Sequence, residues 1–475
     1  MKFIKFLFKA LLSILLLLFL VIVIAFTIDS SKTSYLNVSD TNNYADTPYI
    51  IKNVNIVPMT KDTVLINKTV RIENGFIKEI GDLSSQTDLK IIDAKGQFLS
   101  PGLIDMHVHV WDKQELGLYL ANGVTTVRNM WGMPYHLRLK KQSNNNEFLS
   151  PIFITSSPKL TGKNDAGIDK VQIQSPEEAK QLISEYKKAG YDVIKTYAGI
   201  SKPVYDAIVE QSKIEQMPIT AHPSFNVEYN YHFKPEFETV EHTEEIVQNA
   251  LKFEVDSLKL NAIIKLYANN NMSHTPTLSI FQNIIDIMEQ KESILSNETG
   301  AFMNPTFVRL GSRDDYNRWT SEMKYNPEIY DKIKTQHQQH LIIVKKLHDA
   351  NVNLVCGTDS GIMFAPAGQS THEELQYYLE AGLTNYEALA TATINPRKVS
   401  QLYKDYGTIE VGKMANLILS KENPLENLTT LKTPQTVWIK GRMIDEASIN
   451  EFKNKAKNRK NGLVTLCRFV ESFIQ

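Results

Sequence analysis

Two histidines, His107 and His109, close the apolar run Gly102-Leu103-Ile104-Asp105-Met106-His107-Val108-His109. A β-strand sends residues i and i+2 to one face, so both imidazoles can reach a single metal ion. Eleven histidines in 475 residues give about 0.25 such pairs by chance, so the pair needs company. Company stands at the ends of later β-prone runs: Lys195 in Asp192-Val193-Ile194-Lys195, His222 in Ile219-Thr220-Ala221-His222, His242 in Val240-Glu241-His242, and Asp359 in Gly357-Thr358-Asp359. Taken singly, each histidine fits a hydrogen-bonded structural role. The ordered set points instead to ligation, because imidazole and carboxylate suit Zn²⁺ or a similar divalent ion.

Strand ends must meet for such residues to cooperate. Between Phe98 and Asn395 short apolar runs alternate with longer amphipathic stretches, the rhythm of βα units around a parallel sheet. Strands are expected near Gly102–His109, Val124–Met130, Ile152–Ser156, Asp192–Tyr197, Ile219–His222, Val240–Thr243, His274–Leu278 and Asn353–Asp359. Eight strands predict an α/β fold of the (β/α)₈ TIM-barrel type, whose C-terminal strand ends converge on one mouth. Short β-prone runs before and after it (Ile50–Val57, Thr69–Ile72, Ile77–Ile80; Ala415–Ser420, Thr436–Ile439) predict a small composite β-sandwich domain built from residues 48–97 and 405–446, with the barrel (98–404) inserted. Residues 279–350 exceed one simple βα connection and read as a helical insert capping the mouth.

The ends of the chain carry other signals. Lys2, Lys5 and Lys9 precede nineteen uncharged residues, Ala10–Ile28, nearly enough at about 1.5 Å per residue to span a bilayer core. Residues 1–29 are therefore read as an N-terminal membrane anchor, a transmembrane helix, in preference to a cleaved signal peptide. The lysines then stay inside and the catalytic part lies outside the cytoplasm; secretion or release to the periplasm is the alternative. Residues 30–47 read as a polar linker and 447–475 as a C-terminal tail, whose basic run Lys453, Lys455, Lys457, Arg459, Lys460 is expected to be solvated, with anionic lipid as a minor alternative. Fifty-two basic against 53 acidic residues give a net charge of -1, which argues against nucleic acid as a partner. Two cysteines, Cys356 and Cys467, make no disulfide framework, and Cys356 is expected in the core.

In these residues the sequence resembles the amidohydrolase superfamily, and within it the imidazolonepropionase-like and Xaa-Pro-dipeptidase-like members, over about Tyr49 to Asp445. The likeness rests on Pro101–His109, Gly123-Val124-Thr125-Thr126-Val127-Arg128, the later ligands with Gly357-Thr358-Asp359-Ser360, and a late block through His372-Glu373-Glu374-Leu375, Ala392-Thr393-Ile394-Asn395-Pro396 and Gly407–Lys413. Asn416 stands where that family often has Asp. The resemblance implies a metal-dependent hydrolase of a C–N bond in a small amide or dipeptide. It implies two divalent metal ions, Zn²⁺ the expected one: His107, His109 and Asp359 on the first, His222 and His242 on the second, and a carboxylated Lys195 bridging them. A free ammonium among metal ions would repel them, and conversion to a carbamate reverses that sign. Asp359 is also expected to accept the proton of the attacking water and pass it to the departing nitrogen.

Other residues keep two readings. Tyr197 shares the inward parity of Lys195 and can contact substrate or simply pack. His372 can touch substrate or open a helix with Glu373 and Glu374. Asp105 can brace a ligand or close the barrel floor. Arg128, His136, His232 and His274 stay unassigned, and His337, His340 and His348, at helical spacing, are expected at the surface. Two rivals to the binuclear hydrolase remain: a cyclic-amide hydrolase or deaminase with one metal, and a non-catalytic surface binding protein.

Overall fold

Near-continuous apolar runs become strands buried on both faces, as a parallel sheet under helices requires. In a computed structural model, which describes residues 2–38, 47–82, 89–163, 165, 167, 169–457 and 459–473, seven such strands pair in parallel succession: Leu103–Val108, Val124–Asn129, Ile152–Gly162, Val193–Thr196, Ile219–Ala221, Phe237–Glu241 and Ser273–Thr275. The eighth expected strand is not regular. Its segment closes the ring through single parallel bridges, His274 with Leu354 and Val108 with Ser360, and through scattered backbone hydrogen bonds such as Met106 N–H to the Cys356 carbonyl (2.8 Å). The backbone shows why: Asp359 (φ 57°) and Gly361 (φ 100°) turn it out of the extended region. A Cβ on Gly361 would lie 1.9 Å from the His109 carbonyl oxygen, so only glycine lets the two segments approach this closely.

The second sheet joins both ends of the chain. Phe98–Pro101 pairs antiparallel with Leu417–Ser420 on one side and parallel with Tyr49–Ile56 on the other. Leu65–Glu73 and Phe76–Gly81 extend it through a tight hairpin at Asn74-Gly75, both at positive φ (53° and 78°). It closes over its own core, which includes Ile51, Val70, Leu417 and Trp438.

The segment after the seventh strand folds into the helices Leu278–Gln290, Arg313–Tyr325 and Ile329–Asp349, with short turns between them. Ile280, Ile284, Ile333 and Phe364 pack as a separate core over the barrel mouth. His337 and His340 are buried there, 3% and 1% exposed, which corrects their expected surface placement. They share the helix face of Ile333, Leu341 and Val344, so periodicity carries them inward.

The N-terminal helix Lys2–Lys32 is long and apolar enough to cross a membrane. Its large apolar side chains from Phe3 to Ile28 are exposed. Part of the expected linker is docked instead: Leu36 enters the main core, and its carbonyl accepts from the Leu149 amide at 2.6 Å. Residues 39–46 of that linker lie outside the described residues.

The C-terminal residues are not a solvated tail. They form the helices Glu446–Ala456 and Gly462–Glu471, and Arg459 is buried between Asp112 (Nε to Oδ2, 3.0 Å) and Glu115 (Nη2 to Oε1, 2.8 Å). Two buried carboxylates on one helix start need a cation, and Arg459 supplies it.

Candidate metal centre and active-site cavity

First-strand residues set the centre. Asp105 accepts from the hydroxyls of Thr358 and Thr371 (2.8 Å each) and the Thr358 amide (3.2 Å), so it ties the first strand to the segment bearing Asp359. Two residues on, His107 directs Nδ1 at Glu241 Oε2 (2.6 Å) and Nε2 at Asp359 Oδ1 (3.1 Å). His109 Nε2 meets the same Oδ1 at 2.7 Å. Burial would raise Asp359, but the two imidazoles hold its carboxyl well below the usual carboxylate range. Burial pushes His109 down to about 4 despite the opposing pull of Asp359.

His242 ends the sixth strand at φ 68°, a conformation costing on the order of 1–2 kcal/mol. Its amide donates to the Thr275 carbonyl (2.8 Å) and its Nδ1 contacts the Thr277 hydroxyl (2.8 Å), so backbone and ring are both fixed. Among the described residues, His107, His242 and Asp359 offer ligand atoms within 4.8 Å of one another. The His222 ring lies 4.9 Å from that of His242 and stacks on Tyr197 at 4.2 Å; its Nε2 is 3.1 Å from Glu245 Oε1.

Lys195 is buried at the same floor, and its Nζ has no hydrogen-bond partner. Burial pushes its pKa down to about 8, against the raising pull of Glu241 and Asp359. An unpartnered buried ammonium is unfavourable by several kcal/mol. Nδ1 of His222 and of His109 are also buried without partners. Spare donor atoms on imidazoles, a carboxylate between two histidines and a partnerless lysine fit a site built for divalent cations.

The structure therefore brings His107, His109, Lys195, His222, His242 and Asp359 to the floor of one cavity of about 830 Å³, with Tyr197 in its wall. It does not bring His372 there: that ring is buried in the first turn of the helix Gln369–Glu380 with Nε2 2.9 Å from the Asn122 carbonyl oxygen, which corrects the substrate-contact reading and leaves the helix-start one. The ring's reach is spent on fastening that helix to the barrel. Arg128, unassigned from sequence, lies inside the barrel and donates to Glu241 (3.0 Å) and Glu238 (2.7 Å). Burial would raise Glu241, but Arg128 and His107 hold it far below the ordinary range.

Glu241 is the site residue that sequence reasoning missed. A carboxylate inside an apolar strand, one position before a candidate ligand, was its signal. Also missed were Trp111, Trp131, Trp319 and Phe469 in the walls, and Lys159, which pairs with Asp169 beside them.

The amidohydrolase family profile matches residues 98–444. Among solved structures, the chain superposes on bottromycin amidohydrolase with a TM-score of 0.72 at 18% identity, over 90% of this chain and 95% of that one. A Xaa-Pro dipeptidase with bound methionine in its active site gives a TM-score of 0.65 at 20% identity, over 84% and 100%. At these identities the likeness is one of fold. A dihydroorotase of Carboxydothermus hydrogenoformans is 46% identical over 63 residues, 13% of this chain and 14% of that protein, so the match spans a small part of the relative's length.

Proposed function

Because this chain belongs to the amidohydrolase family, we propose that it hydrolyses the C–N bond of a small amide, a dipeptide among the candidates, with two divalent metal ions, Zn²⁺ foremost. His107, His109 and Asp359 hold one ion and His222 and His242 the other. Lys195 would serve both as a carbamate. The ammonium first gives up one proton to solvent, the neutral Nζ then bonds to the carbon of CO₂ as one C–O π bond opens onto oxygen, and the nitrogen releases a second proton. Loss of two protons in all turns a cation into an anion. When bound, the ions acidify a water and polarise the substrate carbonyl. Asp359 accepts the proton of the attacking water and returns it to the leaving nitrogen. Glu241 keeps His107 in one tautomer and orientation, with Arg128 holding Glu241 in turn. The aromatic walls exclude bulk water around the scissile bond.

The observation that carries this reading is the buried, partnerless Nζ of Lys195 amid histidines and Asp359. A turnover screen of the metal-loaded full chain on Xaa-Pro and other dipeptides, N-acyl amino acids, lactams and aminated heterocycles tests it. Release of free amine from at least one class is the expected result; ammonia release from aminated heterocycles alone would contradict it.

Residues 1–29 act in this reading as an uncleaved anchor that leaves the barrel outside the cytoplasm, motivated by the exposed apolar helix after its lysines. Protease accessibility in intact cells or spheroplasts tests that, and recovery of the full chain as a soluble cytoplasmic species would contradict it. Small molecules and the membrane are the proposed partners.

A further inference from the structure

Two cavities lie in line between the N-terminal helix and the catalytic cavity, each sharing wall side chains with the next, so that they form a path where those side chains part, an arrangement that small-amide hydrolysis does not require. The helix Lys2–Lys32 ends against the C-terminal helix: Arg468 Nη2 donates to Asp29 Oδ2 at 2.7 Å, and its guanidinium lies 4.2 Å from the Tyr135 ring. Where the two helices meet, a cavity of about 460 Å³ runs from Ala25 and Ile28 to Lys460 and Leu463. Lys460 and Leu463 also line a second cavity, of about 530 Å³, with Arg309, Leu310 and Leu466. Leu310 and Leu466 in turn line the catalytic cavity. The three spaces therefore share walls in series from the end of the membrane helix to the metal-site floor.

The surface of that path is unusual for water. Leu463, Leu466, Val470 and Phe473 follow one another at helical spacing and are 43–57% exposed, beside Leu310 at 60%. A contiguous apolar stripe next to an exposed apolar helix marks a membrane-facing surface. Lys32, Arg309, Lys455 and Lys460, all exposed, border it, the composition that anionic lipid headgroups attract.

We propose that this face rests on the outer leaflet and that the path admits the acyl chain of a long-chain N-acyl amide, so that the enzyme takes membrane-dissolved amides of this class as substrates. The inference rests on the hydrolase reading above and names its substrate class. The acyl chain lies along Leu463, Leu466 and Leu310, and the amide reaches the metal-site floor of the cavity that Leu310 and Leu466 line.

The test uses the full chain, metal-loaded, in nanodiscs of phosphatidylcholine with phosphatidylglycerol. N-acyl glycines from acetyl to dodecanoyl are compared, and N-hexadecanoyl glycine bearing a diazirine in its chain is photolysed and mapped by mass spectrometry. Expected are kcat/KM rising about tenfold or more from acetyl to dodecanoyl and label on residues 305–310 and 462–473. The pair Leu463→Gln with Leu466→Gln should cut that ratio to below about threefold. A flat chain-length profile with label on the membrane helix alone overturns the proposal while leaving amide hydrolysis standing. Label in the path with no turnover of any N-acyl glycine overturns the substrate class, and the hydrolase reading falls with it only where the dipeptides and lactams also release no amine. In a parallel run with a bifunctional amine-reactive reagent, links between chains through residues 455–473 would assign the stripe to a second copy and overturn the membrane contact.

Discussion

Glu241 Oε2 lies 2.6 Å from His107 Nδ1, and the other oxygen of the same carboxylate accepts from Arg128 at 3.0 Å. One carboxylate thus fixes the tautomer of a candidate ligand and neutralises a buried cation. Glu241→Gln keeps the volume and removes the charge. Metal affinity should fall about 10–100-fold, read by competition with a chelator; unchanged affinity would show that His107 is oriented without it.

Asp359 touches both first-strand histidines, so it acts in the account as ligand and proton carrier. Asp359→Asn should lower kcat on the order of 10³-fold. Near-normal turnover would move proton transfer to another group.

The Arg459 side chain is 1% exposed between Asp112 and Glu115. Arg459→Ala leaves Asp112 buried without its cation beside Glu115, which burial already pushes up to about 8, and should cost about 3 kcal/mol, read as a lower unfolding midpoint. A shift within error would mean that the C-terminal segment does not hold the barrel.

Glu374 accepts from the amides of Leu278 (3.0 Å) and Ser279 (2.8 Å) at the start of the capping helix. Burial raises its pKa to about 7 despite those bonds. The folded chain then holds a proton that the unfolded chain releases near pH 4.5, so this group's stabilisation is present below about 4.5 and lost as pH rises through about 7. Glu374→Gln should flatten that part of the stability–pH curve. An unchanged slope would assign it elsewhere.

The histidine pair, the parity of Lys195 and the strand-end positions were legible because a barrel strand carries its own period and its own end. The path of the eighth segment was not, since the turn at Asp359 is held by its amide donating to the His107 carbonyl (2.8 Å), a partner far away in the sequence. Arg459 was misread for a similar reason. A basic run looks the same solvated or inserted, and its partner Glu115 lies 344 positions away. His337 and His340 were misread although their helix face was available, because spacing alone does not say which face is inward until Ile333 and Val344 are counted with them.

The bridging carbamate is the central claim, and metal content with electron density at Lys195 Nζ tests it most directly. Wild type and Lys195→Ala are loaded under matched metal and bicarbonate. The account predicts two metals per wild-type chain, density for a carboxylated Nζ, fewer metals with loss of turnover in the variant, and partial recovery of both with a small added carboxylate. One metal per fully active wild-type chain with an unmodified lysine would contradict it and favour the single-metal hydrolase or deaminase.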